Sequence, residues 1–241
     1  LMRSSAASDV YKRQPQDIED VYSAIARQGY THVIVLMIAE CLSSANNLMR
    51  LAAEEHPELT VKVFDSKSAS IGLGALAVQV ARYAVRGVAF DPLCELTKRL
   101  IDDTVVYFSL DTLEYLQRGG RIGRATALAG GLLQIKPILT FDRKDGMIST
   151  AAKVRGRRGV QQRLIELATE LAAKHPGEEY NLVVCDGNVP EEGAALEAAL
   201  TRALPNAHRV LHGKVDATLA VHLGPNLLGV GVQFLNSKLP A

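Results

Sequence analysis

A continuous apolar run, HVIVLMI at residues 32–38, most strongly constrains what this chain can fold into. A strand with one solvated face alternates apolar and polar residues, whereas an unbroken run of this length is typical of a strand buried on both faces of a parallel sheet. A predicted helix from Ser43 to about His56 follows, and Pro57 ends it. The next predicted strand spans Leu59 to Phe64. This order predicts an α/β fold with helical crossovers between parallel strands.

The first predicted domain covers residues 15–103 and consists of strands that are each followed by a helix. Its other predicted helices run from Pro15 to about Gly29, from Ile71 to Val85 and from Pro92 to about Asp102. The pattern predicts a parallel-sheet α/β/α domain.

Residues 1–14 differ from the rest of the chain, because they show no sustained strand or helix period and begin without methionine. We interpret them as a non-native-looking leader and leave them out of the fold prediction. A natural but floppy terminus is the alternative.

The second predicted domain covers residues 104–241. Strands are predicted at Val105–Leu110, Ile135–Phe141, Met147–Lys153, Leu182–Asp186, His208–His212, Thr218–His222 and Leu228–Phe234. Helices are predicted at Thr112–Leu116, Ala125–Leu133, Gly159–Ala173 and Glu191–Leu204. A strong hairpin signal, Asp145-Gly146, adds antiparallel pairing to the crossovers. The mixture predicts a mixed or antiparallel sheet with helices on one face.

The charge balance argues against nucleic-acid binding, and the hydropathy pattern argues against membrane insertion. The chain has 27 basic and 26 acidic side chains and a formal net charge of +1, whereas nucleic-acid binders usually show a strong basic excess. The cluster Arg155, Arg157 and Arg158 is too small to change this and is interpreted as a solvated face. The apolar stretches are shorter than the roughly 20 residues that span a bilayer. The sequence does not open with a charged n-region followed by an apolar h-region, so secretion is not expected. We therefore expect a cytoplasmic protein without stable membrane insertion.

Metal and cofactor signals are missing from the sequence. Cys41, Cys94 and Cys185 are odd in number and widely spaced, so neither a disulfide framework nor a Cys-type zinc site is expected. The histidines lack metal-ligand spacing, and no GxxxxGK[ST], HExxH or GxSxG motif occurs. No metal, cofactor or catalytic residue is predicted.

Ser43 is a candidate anion ligand, because it lies beyond the end of the first buried strand at the predicted start of a helix. Ligands of parallel α/β sheets collect at such strand ends, and a helix N-terminus favours a carboxylate or phosphate. The alternative is that Ser43 merely caps the helix, since serine is a preferred capping residue.

Two further candidates stand next to turns. Gly119 and Gly120 permit a tight turn that presents Arg121, whose planar guanidinium can hold an anion in bidentate fashion. His222 is predicted where a strand meets a Gly-Pro turn, and its imidazole can donate to an oxyanion. The alternatives are a surface arginine after a helix and a structural histidine.

Five segments occur in an order that characterises one protein family. They are VIVLMIAECLSS (33–44), VKVFDSKSASIGLG (61–74), DTLEYLQRGGRIGRATALAGGLLQIKPIL (111–139), DGMISTAAKVRGRRG (145–159) and AVHLGPNLLGV (220–230). In this order the chain resembles the DegV family of bacterial fatty-acid-binding proteins from Gln14 to its C-terminus, and the segment at 111–139 is the most diagnostic.

The resemblance implies a two-domain α/β protein that holds one long-chain fatty acid between its domains. By the matching motifs, the carboxylate would meet Ser43, Arg121 and His222, and the tail would lie in an apolar tunnel. The residues between 125 and 139 are candidates for its lining, or are ordinary core. Such proteins resemble carriers that present the fatty acid to a separate fatty acid kinase and perform no chemistry themselves. Arg155 matches a family arginine and is a candidate contact for that partner.

The chain departs from the family pattern at its start and near the site. An opening strand and an Asp-Ser turn are missing, so the N-terminal domain is expected to be incomplete and the chain N-terminally truncated. Ser44 and Ala45 stand where the family has Gly and Thr, and Asn226 stands where it has a second turn glycine.

Two other functions stay open at this point. One is a small-molecule kinase or hydrolase of the α/β class with His222 as its base, although no phosphate loop or nucleophile–base pair is visible. The other is a truncated fragment that binds nothing.

Overall fold

A computed structural model describes residues 15–128 and 135–235 of the chain. The helices in these ranges are α1 (Pro15–Arg27), α2 (Ala45–Glu54), α3 (Ile71–Val85), α4 (Phe90–Asp102), α5 (Glu114–Arg118), α6 (Gly156–Ala173), α7 (Pro190–Ala203) and α8 (Ala217–Leu223). The strands are β1 (His32–Met37), β2 (Thr60–Asp65), β3 (Thr104–Ser109), β4 (Ile135–Phe141), β5 (Ile148–Arg155), β6 (Tyr180–Asp186), β7 (Arg209–Lys214) and β8 (Leu228–Phe234). A 3₁₀ helix spans Gly123–Leu128.

Residues 15–103, called here the N-terminal unit, have a three-layer α/β/α arrangement. The strands β1 and β2 pair in parallel, with His32 opposite Thr60 and Met37 opposite Asp65. Alternate residues of β1 belong to different apolar clusters, because its odd-numbered valines pack with α1 and α2 whereas Ile34 and Leu36 pack with α3 and α4. The continuous apolar run is therefore explained by helices on both faces of the strand.

The residues described from 104 onward, called here the C-terminal unit, form a six-stranded sheet. Its strand order is β5-β4-β3-β8-β6-β7. The pair β6–β7 is parallel, and the other four neighbouring pairs are antiparallel. Every residue of β6 and β8 is buried. The mixed sheet matches the fold class predicted from the sequence.

The two faces of this sheet are covered by different parts of the chain. The long helices α6 and α7 of the same unit pack on one face, with Leu164 and Leu196 fully buried against it. The other face contacts α3 of the N-terminal unit, where Ile71 and Ala75 pack in the cluster that includes Val183. Helix α3 therefore joins the two units, because its remaining apolar residues pack against β1 and α4.

Most predicted elements occur with their ends shifted by no more than three residues, but three predictions need correction. The predicted strand Thr218–His222 is the helix α8, whose start is capped by Asp216 through a 3.0 Å hydrogen bond from the Leu219 N–H. The predicted helix Ala125–Leu133 is the 3₁₀ helix Gly123–Leu128 as far as residue 128, and its remainder lies outside the described residues. Helix α2 begins at Ala45 rather than Ser43. Short apolar runs do not separate helix from strand, which explains the first error.

None of the helices in the described ranges combines the length and the apolar character that a bilayer crossing requires.

Candidate functional site

A cleft of about 420 Å³ opens beyond the carboxyl end of β1, where the two units meet. The segment 40–47 lines it from the N-terminal unit, and Gly120 and Arg121 line it from the C-terminal unit. Its position agrees with the general rule that ligands of α/β proteins bind at the carboxyl ends of strands.

Backbone hydrogen bonds hold the segment between β1 and α2 in place. The fully buried Ala39 donates its N–H to the Ser68 carbonyl at 2.9 Å and accepts from the Leu42 N–H at 2.9 Å. The Asn46 side chain donates to the Ile38 carbonyl at 2.7 Å and is 1% exposed. These bonds turn the chain sharply after the strand, so that Ser43 is displayed at the cleft.

Ser43 is half-buried, and its Oγ accepts a 3.3 Å hydrogen bond from the Ala45 N–H at the start of α2. The N-cap of α2 is the next residue, Ser44, which makes no side-chain capping bond, so the alternative that Ser43 merely caps the helix is wrong. The Ser43 hydroxyl instead accepts its hydrogen bond from the position before the cap. Accepting that bond leaves the hydroxyl proton available for a second partner. This local hydrogen bond and ligand binding are thus compatible at Ser43.

Arg121 connects the two units across the cleft. Its Nε donates to the Leu42 carbonyl at 3.2 Å, and its Nη1 donates to the Gly119 carbonyl at 2.6 Å. Both acceptors are neutral, and no carboxylate in the described part of the chain pairs with this guanidinium. Its positive charge is therefore available to an anion in the cleft.

His222 lies in the last turn of α8 with its Nδ1 packed against the Gly119-Gly120 turn. A Cβ on Gly119 would come within 2.6 Å of that Nδ1, so this close approach requires glycine. The Nδ1 is buried and has no hydrogen-bond partner within the described ranges. Burial lowers the pKa of His222, and the charge of Arg121 lowers it further. The imidazole is therefore neutral near pH 7.

The structure brings Ser43, Arg121 and His222 into one neighbourhood, with Arg121 as the connection. Ser43 and Arg121 line the same cleft, whereas His222 stands behind Gly119 and does not line it. Arg155 lies elsewhere, at the end of β5 opposite Ile135 and at the start of α6. The binding roles of these four residues remain predictions.

A polar network that the sequence did not reveal holds the turn after α8. Asn226 has a positive φ of 62° and donates to Asp111 at 2.6 Å. Arg157 donates to the Asn226 carbonyl at 2.6 Å and to Glu192 at 2.8 Å. Arg157 is therefore a structural residue rather than part of a solvated face, and the network fixes the chain that follows His222. The asparagine in place of a turn glycine was the only signal, because asparagine tolerates positive φ.

A second missed feature is Asn46, which lines the cleft although it is buried. Its Oδ1 has no hydrogen-bond partner among the described residues. A buried acceptor without a partner is costly, so this oxygen favours a ligand or water that donates to it. Its place near the start of a helix that follows a buried strand was the available signal.

Thiol and metal chemistry find little support at the described residues. Burial raises the pKa of Cys185 to about 12, and burial together with Asp65 and Asp145 raises the pKa of Cys41 at the cleft. Both thiols are therefore protonated at neutral pH. Within residues 15–128 and 135–235, no group of three or more His, Cys, Asp or Glu side chains is arranged so that it could hold a metal ion.

The comparisons with known proteins identify the family. A family model described as "Uncharacterised protein, DegV family" matches residues 2–235. The chain belongs to the DegV family. A DegV domain-containing protein of Clostridium acetobutylicum is 34% identical over 215 residues, which is 89% of this chain and 75% of that protein.

Solved structures of DegV proteins share the fold. A fatty-acid-binding DegV family protein from Thermus thermophilus superposes with a TM-score of 0.85 at 29% identity, covering 93% of this chain and 78% of that one. A stearic-acid-binding protein from Eubacterium ventriosum gives a TM-score of 0.79 at 25% identity, covering 92% and 76%. The two-domain α/β DegV fold predicted from the sequence is confirmed by these neighbours.

Proposed function

We propose that this chain binds one long-chain fatty acid where its two units meet and presents the carboxylate to a separate fatty acid kinase. The observation that carries the proposal is Arg121, a guanidinium without a carboxylate partner in the described ranges, which bridges the units beside Ser43 and His222. The same fold occurs in proteins described as fatty-acid-binding.

The polar end of the ligand needs only a few donors to fix its orientation. Arg121 supplies charge-assisted donors, and Ser43 supplies a hydroxyl proton that its hydrogen bond with the Ala45 N–H does not use. The neutral imidazole of His222 supplies one N–H when the ring is suitably placed. These groups together suit a carboxylate better than a neutral ligand.

The apolar cluster under the cleft gives the acyl tail a place to enter. Leu42, which lines the cleft, packs against the cluster shared by the units, as do Leu113 and Leu223. These side chains are only partly buried, so we propose that they move aside for the tail. A tail of ~16 carbons at ~0.8 kcal/mol per buried methylene contributes on the order of 10 kcal/mol before ordering costs.

The described residues between 125 and 139 that were predicted to line the tail site lie on both faces of the six-stranded sheet. Ile138 and Leu139 are fully buried on opposite faces of the six-stranded sheet, so Ile138 belongs to the core under α6 and α7. Ala125 lies on the face toward the N-terminal unit. Residues 129–134 lie outside the described residues. Only the side of this segment that faces the units' junction suits a tail site.

The direct test is to extract the purified protein with organic solvent, to identify any lipid by mass spectrometry, and to titrate palmitate or oleate calorimetrically. Loss of one hydrogen bond to a carboxylate is worth about 1.5–3 kcal/mol, so Ser43→Ala should weaken binding on the order of ten-fold or more, and His222→Ala should weaken it further. Ser23→Ala, a half-buried serine in α1, is the control. Unchanged dissociation constants for both site variants contradict the site.

Presentation of the bound fatty acid to the kinase can be tested separately from lipid binding. Arg155→Ala should leave the fatty acid dissociation constant unchanged and reduce phosphorylation of the bound fatty acid by a fatty acid kinase. Equal loss of both activities would instead place Arg155 in the lipid site. Phosphoryl transfer to the lipid with ATP and magnesium alone would favour an enzyme. If no lipid is extracted and added fatty acid does not raise the Tm, the result would favour a fragment that binds nothing.

A further inference from the structure

A second, smaller notch of about 80 Å³ lies where the C-terminal half of α3 meets the starts of β6 and β7. Both units contribute to its wall, and none of its lining residues lines the Ser43 cleft. The fatty acid proposal uses no residue of this notch, so its chemistry needs a separate explanation.

The notch concentrates positive charge. Arg82 and Arg86 of α3 and Arg209 of β7 line it together, although Arg82 and Arg209 are far apart in the sequence. None of these guanidinium groups pairs with a carboxylate in residues 15–128 or 135–235, and Glu179 on the rim forms no ion pair there.

Several arginines elsewhere in the described ranges are paired with carboxylates, in contrast to the three that line the notch. Arg124 contacts Asp145 and Asp142, and Arg163 contacts two glutamates of its own helix. Arginines that lie close together without ion-pair partners repel one another, and this repulsion is strongest where water is partly excluded. The arrangement therefore favours an anion between the guanidinium groups.

Arg82 carries the strongest sign of a missing partner. Its Nη1 is buried and has no hydrogen-bond acceptor among the described residues. Burial lowers the pKa of Arg82, and the charges of Arg209 and Arg86 lower it further. A buried donor on a charged group is expensive to leave unpaired, so an oxygen acceptor at this position would be stabilising.

The back wall of the notch is rigid. Gln79 and Tyr83 line it and are 5% and 4% exposed. Gln79 Oε1 accepts from the buried Asn181 at 3.3 Å, and the Tyr83 hydroxyl donates to the Leu235 carbonyl at 3.0 Å. The arginines therefore project around a wall already held by hydrogen bonds, which limits the ordering cost of binding.

We propose that this notch is a binding site for a phosphate-type oxyanion, held by Arg82, Arg86 and Arg209. The volume suits a single small tetrahedral group, and planar guanidinium groups match phosphate oxygens in bidentate fashion. The phosphate could be free in solution or could belong to a lipid headgroup that reaches the surface at this point.

The test is calorimetric titration of the full chain with inorganic phosphate at constant ionic strength, with chloride as the ionic-strength control. Arg82→Gln and Arg209→Gln should each weaken phosphate binding at least ten-fold. Arg27→Gln is the matched control, because it removes the same charge from an exposed helix end without touching the notch. Phosphate binding that is measurable and equally strong in Arg82→Gln and Arg27→Gln overturns the site.

A second arm separates the two sources of phosphate by co-sedimentation with vesicles of anionic phospholipid and of neutral phospholipid. Binding to anionic vesicles that Arg82→Gln and Arg209→Gln abolish, without binding of free phosphate, assigns the site to a headgroup. Absence of both interactions in the unaltered protein overturns the proposal. If Arg82→Gln does not fold, the exposed Arg209→Gln decides alone.

The unliganded protein offers a further check. Removing Arg82 relieves repulsion among the arginines, so Arg82→Gln should not lower the Tm at low salt, whereas a purely structural arginine would lower it. Fatty acid affinity should be unchanged in both notch variants, so this proposal and the fatty acid proposal can fail independently.

Discussion

The two units are built around parallel strand pairs that differ greatly in burial. In the C-terminal unit β6 is buried along its whole length and pairs in parallel with β7. In the N-terminal unit β1 and β2 also pair in parallel, but their residues are mostly half-exposed despite helices on both faces. The same local pattern therefore yields a complete core in one unit and a partly solvated one in the other.

The difference shows how much the N-terminal unit relies on α3. Ile71 and Ala75 of this helix pack against the six-stranded sheet, whereas Leu76 and Val80 pack within the N-terminal unit. The better-buried sheet thus anchors the less-buried one through a shared helix. The candidate ligand site lies along the same junction, so ligand binding and unit coupling are expected to be linked.

The largest expected effect compares one leucine from each parallel strand pair. Leu182→Ala in β6 removes a fully buried side chain and should lower the free energy of unfolding by about 3–5 kcal/mol. Leu36→Ala in β1 removes a half-buried one and should cost about 1–2 kcal/mol, because its site is already partly solvated. Chemical denaturation of both variants measures the difference. Equal losses would show that the two cores are equivalent.

The next effect compares two glycines. Gly119→Ala places a Cβ 2.6 Å from His222 Nδ1 and should displace the imidazole, at a cost of about 1–3 kcal/mol in stability and with weaker fatty acid binding. Gly74→Ala on α3 meets no atom within 4 Å and should be neutral or slightly stabilising. Thermal melting and fatty acid titration of the pair give the readout. Unchanged fatty acid affinity in Gly119→Ala would remove His222 from the site.

The smallest expected effect is on the pH dependence of the Tm, and it concerns two histidines that each lie between carboxylates. His212 lies 2.5 Å from Glu197 and 3.2 Å from Asp186 in the C-terminal unit, and His56 lies 2.9 Å from both Glu58 and Glu19 in the N-terminal unit. Hydrogen bonding to Glu197 raises the pKa of His212, and hydrogen bonding to Glu58 raises the pKa of His56.

A histidine whose folded-state pKa is raised stabilises the fold fully below its unfolded pKa of about 6.5, and this stabilisation is lost as pH rises through the folded pKa. The Tm should therefore fall modestly above about pH 6.5, and His212→Gln and His56→Gln should each flatten that slope. Tm profiles between pH 5.5 and 8.5 measure it. A slope retained in both variants would assign it to other groups.

Several parts of the fold could be predicted because their signals are local. The apolar run of β1, the boundaries of α3 and the last strand β8 follow from periodicity over a few residues. Ser43 was predicted as a candidate in the same way, because it lies shortly after a buried strand. The order of the family's segments then predicted the overall architecture.

Other parts depend on residues that are far apart in the sequence. Arg157 contacts Asn226, and Asp111 contacts Lys136. Neither contact can be inferred from the periodicity of the sequence. The helix α8 was mistaken for a strand because its apolar run is short and its identity depends on the Asp216 cap and on packing against α5.

The sequence by itself determined the succession of strands and helices, because continuous or periodic apolar residues select a backbone that can bury them. Only the tertiary structure decided that Arg121 reaches the Leu42 carbonyl, that His222 packs on Gly119, and that Arg82 and Arg209 share one notch. The physical reason is that burial patterns act over a few residues along the chain, whereas charge and hydrogen-bond partners are assigned by packing between distant segments.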